Sequence, residues 1–144
     1  MGSVLRDIPM KGLIGPGRKL SAYFGKPLII NVWASWCGPC REEMGSLELL
    51  SQRDGGTQFN VIGISTDDYE VKALAFLKRS NTTFSNFLDD RLALESMLGA
   101  DHLPLTLLVD AKGRVLARHY GSKQWDSPQA ARLIESAFQI KIRN

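Results

Sequence analysis

Leu28-Ile29-Ile30-Asn31-Val32-Trp33 is a nearly continuous apolar run rich in β-branched side chains, and only three residues separate it from Cys37-Gly38-Pro39-Cys40. A run of that kind suits a central strand buried on both faces. Beyond the cysteines, Met44, Leu47 and Leu50 recur at helical spacing, which predicts a helix over 39–53 closed by Asp54-Gly55-Gly56. The two cysteines therefore fall where a buried strand hands over to an amphipathic helix. That junction restricts the fold to α/β arrangements with parallel pairing around it.

The rest of the chain continues the pattern. Residues 4–24 carry turn signals, Gly12 and then Gly15-Pro16-Gly17, between short apolar pieces, and read as a small β-hairpin or an irregular lead-in. A second buried strand is predicted over 59–65. Asp67 with Glu70 resembles a capping box opening a helix to about Arg79. A short strand over 84–88 and a short helix over 90–98, closed by Gly99, follow. Strands over 105–109 and 114–118 flank Asp110-Ala111-Lys112-Gly113, a hairpin signal. Ser127-Pro128 is an N-cap and first-turn pair for a last helix carrying Leu133, Ile134, Ala137 and Phe138. The expected architecture is a mixed central sheet with helices on both faces, preceded by an N-terminal hairpin and extended by a central βα insertion.

A chain of 144 residues fits one domain, 1–144, with Met1-Gly2-Ser3 compatible with an expression remnant. The formal charge of +3 is small and its basic residues are scattered, which argues against a nucleic-acid partner. No apolar stretch approaches the roughly 20 residues that span a bilayer, and no basic segment followed by an apolar run marks a signal peptide. An original leader or anchor cut away from the chain stays compatible with this reading.

Two cysteines cannot staple a fold of this size, and alone they would leave a tetrahedral zinc half-ligated. A redox pair is the simpler account; a structural disulfide and half a metal site are the alternatives. Disulfide exchange needs one thiol to attack and a second to resolve the mixed disulfide. Cys37 at a helix N-terminus would have its thiolate favoured by unpaired N–H groups and the helix dipole. Cys40, three residues on, lies in the first turn and is expected to be more buried. Pro39 lacks an N–H that the first turn could not satisfy anyway.

The segment Val32-Trp33-Ala34-Ser35-Trp36-Cys37-Gly38-Pro39-Cys40-Arg41-Glu42-Glu43-Met44 resembles the active-site segment of the thioredoxin superfamily, and specifically its TlpA/ResA/CcmG-like branch of bacterial extracytoplasmic thiol–disulfide oxidoreductases. The likeness runs from about Leu20 to Ile140 and includes the loop before Pro104 and Leu107-Leu108-Val109-Asp110 with Gly113. It implies a thioredoxin-like fold and reduction of disulfides in partner proteins, with an upstream thiol reductant and no cofactor or metal. It also implies a monomer in the periplasm or another extracytoplasmic space, with a cytoplasmic setting as the alternative. Cytochrome c maturation, metal-centre assembly and general disulfide repair all use this branch.

The resemblance also assigns roles. Cys37 attacks and Cys40 resolves. Glu43, on the face of the helix that carries Cys40, helps move the proton of the buried cysteine; the plain alternative is a first-turn acid, a place that suits Glu42 better. Asn31 departs from ordinary thioredoxins, which have a buried aspartate there. Trp36, Gly38 and Pro39 would meet the partner. Pro104 falls where the superfamily has a cis-proline facing the cysteines, leaving the backbone of Leu103 to pair with an extended substrate strand; a trans-proline that merely starts a strand is the alternative. Leu105 stands where the branch more often has threonine, and Gly45 where it often kinks the helix with proline. Trp33 is expected in the core, Trp125 to pack before the last helix, and His102 to lie near the cleft; His119 has no evident partner. A copper-handling protein and a non-catalytic interaction domain are the competing functions.

Overall fold

The computed structural model describes residues 2–89 and 92–142. Strands β1 (Pro9–Ile14) and β2 (Arg18–Lys19) form the expected N-terminal hairpin, followed by a 3-10 turn at Leu20–Tyr23. The apolar run is β3 (Leu28–Trp33), buried at all six positions, and it leads into α1 (Gly38–Asp54). Then come β4 (Asn60–Ser65), α2 (Glu70–Arg79), β5 (Asn86–Leu88), α3 (Ala93–Leu98), β6 (Leu105–Val109), β7 (Val115–Tyr120) and α4 (Pro128–Phe138). The expected start of α3 at Asp90 lies outside the described residues.

The seven strands are ordered β2-β1-β5-β4-β3-β6-β7. The central trio β3, β4 and β5 is parallel, whereas β6 runs antiparallel to β3 and β7 to β6. Alternation along the strands divides the core into two faces. Ile29, Trp33 and Leu108 pack with α1, α2 and α4; Leu28, Ile30, Val32, Leu105 and Leu107 pack with α3 and the 3-10 turn. Asn31 shares the face of Ile29 and Trp33, and Thr106 that of Leu108. Two polar side chains thus point toward α1 from adjacent strands.

Local chemistry explains the ends of most elements. Gly55 closes α1 in the left-handed region, and the Ser127 hydroxyl accepts from the Ala130 N–H with Pro128 in the first turn of α4. Gly63 answers to close approach instead: a Cβ there would overlap the Asn86 carboxamide, which accepts a hydrogen bond from the Trp33 indole at 2.8 Å. At the end of the sheet remote from α1's start, residues 3–5 bind the β6–β7 hairpin. Val4 bridges Arg114, the Leu5 N–H donates to the Gly113 carbonyl, and the Val115 N–H to that of Ser3.

The capping box is a correction. Tyr69 is the N-cap of α2 and no side chain caps it. Asp67 is drawn off by stronger donors: it accepts from the Ser35 N–H at 3.0 Å, the Ser35 hydroxyl at 2.5 Å and the Ser65 hydroxyl at 2.6 Å. It therefore ties the loop before Cys37 to the end of β4. Asp67 is buried, so Asp67→Ala strands buried donors and should cost about 2–3 kcal/mol. The expected readout is a lower urea midpoint at unchanged m.

Candidate active site

Because β3 and β6 end side by side, with Val32 opposite Leu105, the chain leaving β3 and the chain entering β6 meet at one end of the sheet. Cys37 is the N-cap of α1, in extended backbone, and its N–H donates to the Ala34 carbonyl at 3.1 Å. It is disulfide-bonded to Cys40, with Cα atoms 5.4 Å apart. Cys37 is 7% exposed and Cys40 fully buried. Gly38 and Pro39 are exposed in the first turn, and Trp36 stands out at 73% exposure. The Leu103–Pro104 peptide is cis, Pro104 is buried, and Leu103 is half-buried against the cluster that contains both cysteines.

α1 begins at Gly38, so neither Glu42 nor Glu43 lies in its first turn. The helix-dipole reading of these acids is corrected accordingly, since that effect fades within one turn. Glu42 is exposed, whereas Glu43 is buried. Its Oε1 accepts from the Asn31 amide at 2.6 Å and from the Thr106 hydroxyl at 3.0 Å, and its Oε2 from the Lys123 backbone N–H at 2.8 Å. The Trp125 indole N–H faces the same carboxylate from beyond hydrogen-bonding geometry. Burial raises the carboxyl's pKa above the ordinary range, against the opposing pull of Thr106, Lys123, Trp125 and Asn31. Such a group takes up a proton more readily than a surface glutamate. The Ser46 hydroxyl braces the pocket, donating to the Glu43 backbone carbonyl and accepting from the Trp125 backbone N–H.

Thr106, Ser46 and the Lys123 main chain escaped the reading of the sequence. Thr106 alone left a signal, as the one polar residue in a strand otherwise of Leu and Val. Trp33 and Trp125 are fully buried, Trp33 stacked on Phe76 at 4.7 Å. His102 is exposed beside Asp101 and packs edge-on to Tyr120. His119 packs edge-on to Trp125, its ring centroid 5.6 Å away. Among the described residues, no group of three or more His, Cys, Asp or Glu side chains could hold a metal ion.

The Redoxin family profile matches residues 15–134. The chain belongs to the Redoxin family. Its relatives include thiol:disulfide interchange proteins and a thiol–disulfide oxidoreductase. The chain is 37% identical over 128 residues to the thiol:disulfide interchange protein DsbE of Tatumella citrea, covering 84% of this chain and 65% of that protein. It is 30% identical over 124 residues to the thioredoxin-like protein YneN of Bacillus subtilis, covering 84% of this chain and 72% of that one. Among solved structures, a Chlorobium tepidum protein described as a thiol:disulfide interchange protein DsbE superposes with a TM-score of 0.86 at 26% identity, over 94% of this chain and 96% of the other. These Redoxin relatives place the chain in the TlpA/ResA/CcmG-like group, with the thioredoxin-like fold. The chain spans a little under two thirds of the DsbE relative's length.

Proposed function

We propose that this chain is a thiol–disulfide oxidoreductase that reduces disulfides in partner proteins outside the cytoplasm, acting as a monomer and re-reduced by another thiol protein. One observation carries the reading: the disulfide-bonded pair at the start of α1, with Cys40 sealed inside on the helix face that bears a buried carboxyl. In the reduced protein, the Cys37 thiolate attacks a partner disulfide and the partner's first sulfur leaves as a thiol. Cys40 transfers its proton to Glu43 and attacks Cys37, restoring the disulfide seen here and releasing the partner's second thiol. Exchange proceeds by thiolate attack at sulfur, so no cofactor takes part. Leu103 and Pro104, at the same end of the sheet, are the proposed track for the partner's extended strand, beside Gly38 and Pro39. No helix among the described residues is long and apolar enough to cross a membrane.

Equilibration of the Cys37–Cys40 couple in defined thiol/disulfide buffers tests the direction. A potential near the roughly −270 mV of thioredoxin supports a reductant, and one near about −120 mV reverses the electron flow.

Trp36 is the proposed contact for the partner, since a large exposed aromatic beside a reactive sulfur is suited to anchoring a protein surface. Trp36→Ala should lower kcat/KM for a protein disulfide about tenfold, the loss of roughly 1.4 kcal/mol of contact. Attack by Cys37 on a small aromatic disulfide should be unchanged in a parallel assay.

A further inference from the structure

Among the described residues, four buried side-chain polar atoms have no hydrogen-bond partner: Asn31 Oδ1, His119 Nε2, Trp125 Nε1 and Asp126 Oδ1. Two of these residues, Asn31 and Trp125, face the Glu43 carboxylate directly, and the other two lie on its surroundings. The Asn31 amide donates to Glu43, and the Trp125 indole faces it. His119 is the cross-strand partner of Thr106, which donates to Glu43, and its ring packs on Trp125. Asp126 lines, with Glu43 itself, a surface groove of about 550 Å³ between α1 and the segment joining β7 to α4. Glu42, Gly45, Ser46 and Lys123 complete that part of the wall.

Buried polar atoms that lack a protein partner are served by water. A groove reaching a buried carboxylate, with such atoms beside it, has the makings of a hydrated path. We propose that this groove is the proton port of the redox centre, and that Asp126 is the positioning residue which holds the water connecting Glu43 to solvent. The inference rests on the reading of Glu43 as the base for Cys40.

The need for a port follows from the reaction. While a partner is disulfide-bonded to Cys37, its bulk covers the end of the sheet bearing Trp36 and Leu103, and Cys40 has no exposure of its own. The Cys40 S–H proton passes to the Glu43 carboxylate, and the Cys40 sulfur bonds Cys37 as the Cys37–partner S–S bond breaks. The partner's sulfur leaves with the electron pair. Glu43 must then return its proton to solvent before the next turn. Gly45 lies eight residues past Cys37, roughly 12 Å along the helix axis at about 1.5 Å per residue, so the groove opens on a flank the partner leaves free. The titratable and charged groups around Glu43 are Cys40 and Glu42 from α1, His119 from β7, and Lys123 and Asp126 from the segment after it; β3 and β6 contribute only Asn31 and Thr106. Burial, and then the Lys123 ammonium, lower the His119 pKa, so that ring is neutral and free to take part in hydrogen bonding with water.

The test separates the two thiol steps. Reduced protein is mixed with a peptide disulfide and acid-quenched, and the mixed disulfide and released thiol are resolved by mass. Gly45 lines the groove and a Cβ there meets nothing within 4 Å, so Gly45→Leu adds apolar bulk at the groove wall without a backbone clash at its Cβ. It should leave mixed-disulfide formation unchanged and slow resolution about tenfold, less than the roughly hundredfold or more that a positioned acid or base itself contributes, with a larger solvent deuterium isotope effect and rescue by imidazole. Asp126→Asn, isosteric and independent of α1, should slow resolution in the same direction. Unchanged resolution rates and isotope effects in both variants overturn the port. Glu43→Gln is the control: if it slows resolution while the groove variants do not, the port alone fails, and if it leaves resolution intact, the base assignment falls and the port with it.

Discussion

Cys40→Ser is expected to accumulate a covalent adduct between Cys37 and the partner, while Cys37→Ser abolishes exchange, a loss on the order of a thousandfold or more, as when an enzyme loses its nucleophile. The asymmetry follows from burial. Cys37 caps α1 at the surface of the cluster, and Cys40 has no exposure. Only the first can reach a foreign disulfide, and only the second is placed to release it. Non-reducing gels of the serine variants incubated with an oxidised substrate protein decide the matter. Normal turnover by Cys40→Ser would show that one thiol suffices and that the buried cysteine is structural.

Glu43→Gln should separate activity from stability. Resolution should fall by about a hundredfold, the lower end of what a positioned acid or base contributes. Stability should move the other way as pH rises. The folded pKa of Glu43 is raised by burial, so its contribution to the fold is complete below the ordinary carboxylate value and is lost as pH rises through the raised value. Glutamine resembles the protonated acid and does not titrate. The Tm of Glu43→Gln relative to the parent should therefore increase between pH 4 and pH 8. A difference in Tm that stays constant over that interval would mean that the carboxyl does not titrate with a raised pKa.

The parts legible in the sequence are those governed by neighbours in the chain. The buried run of β3, the α1 periodicity, the Gly55 stop, the Asp110–Gly113 hairpin and the Ser127 cap all depend on residues within a turn or two of one another, and each was found. Asp67 departs from the capping box because its choice lies between a local cap and two donors of Ser35, 32 residues away, joined by the Ser65 hydroxyl; three hydrogen bonds outweigh one. The pocket around Glu43 is harder still. It joins α1 to Asn31, to Thr106 63 residues on and to the Lys123 main chain 80 residues on. A backbone N–H leaves no mark in composition at all. Asn31 could be noticed as a polar residue in an apolar strand, but only the register of β3 against β6 shows that it and Thr106 meet on one carboxylate.

The binding of residues 3–5 to the β6–β7 hairpin has a practical corollary for handling the molecule. That contact lies at the Leu28–Val109 end of the sheet, whereas Cys37 follows the Val32–Leu105 end. Six strand residues at about 3.3 Å each put roughly 17–20 Å between the two poles. A resin, electrode or fluorophore coupled through the amine of Lys112, exposed in the turn of that hairpin, therefore leaves the molecule at its blunt end, with the reactive sulfur facing the bulk liquid. Immobilised in that orientation, the chain should retain its full exchange rate toward a large protein, while coupling through Lys123, beside the groove, should impair it.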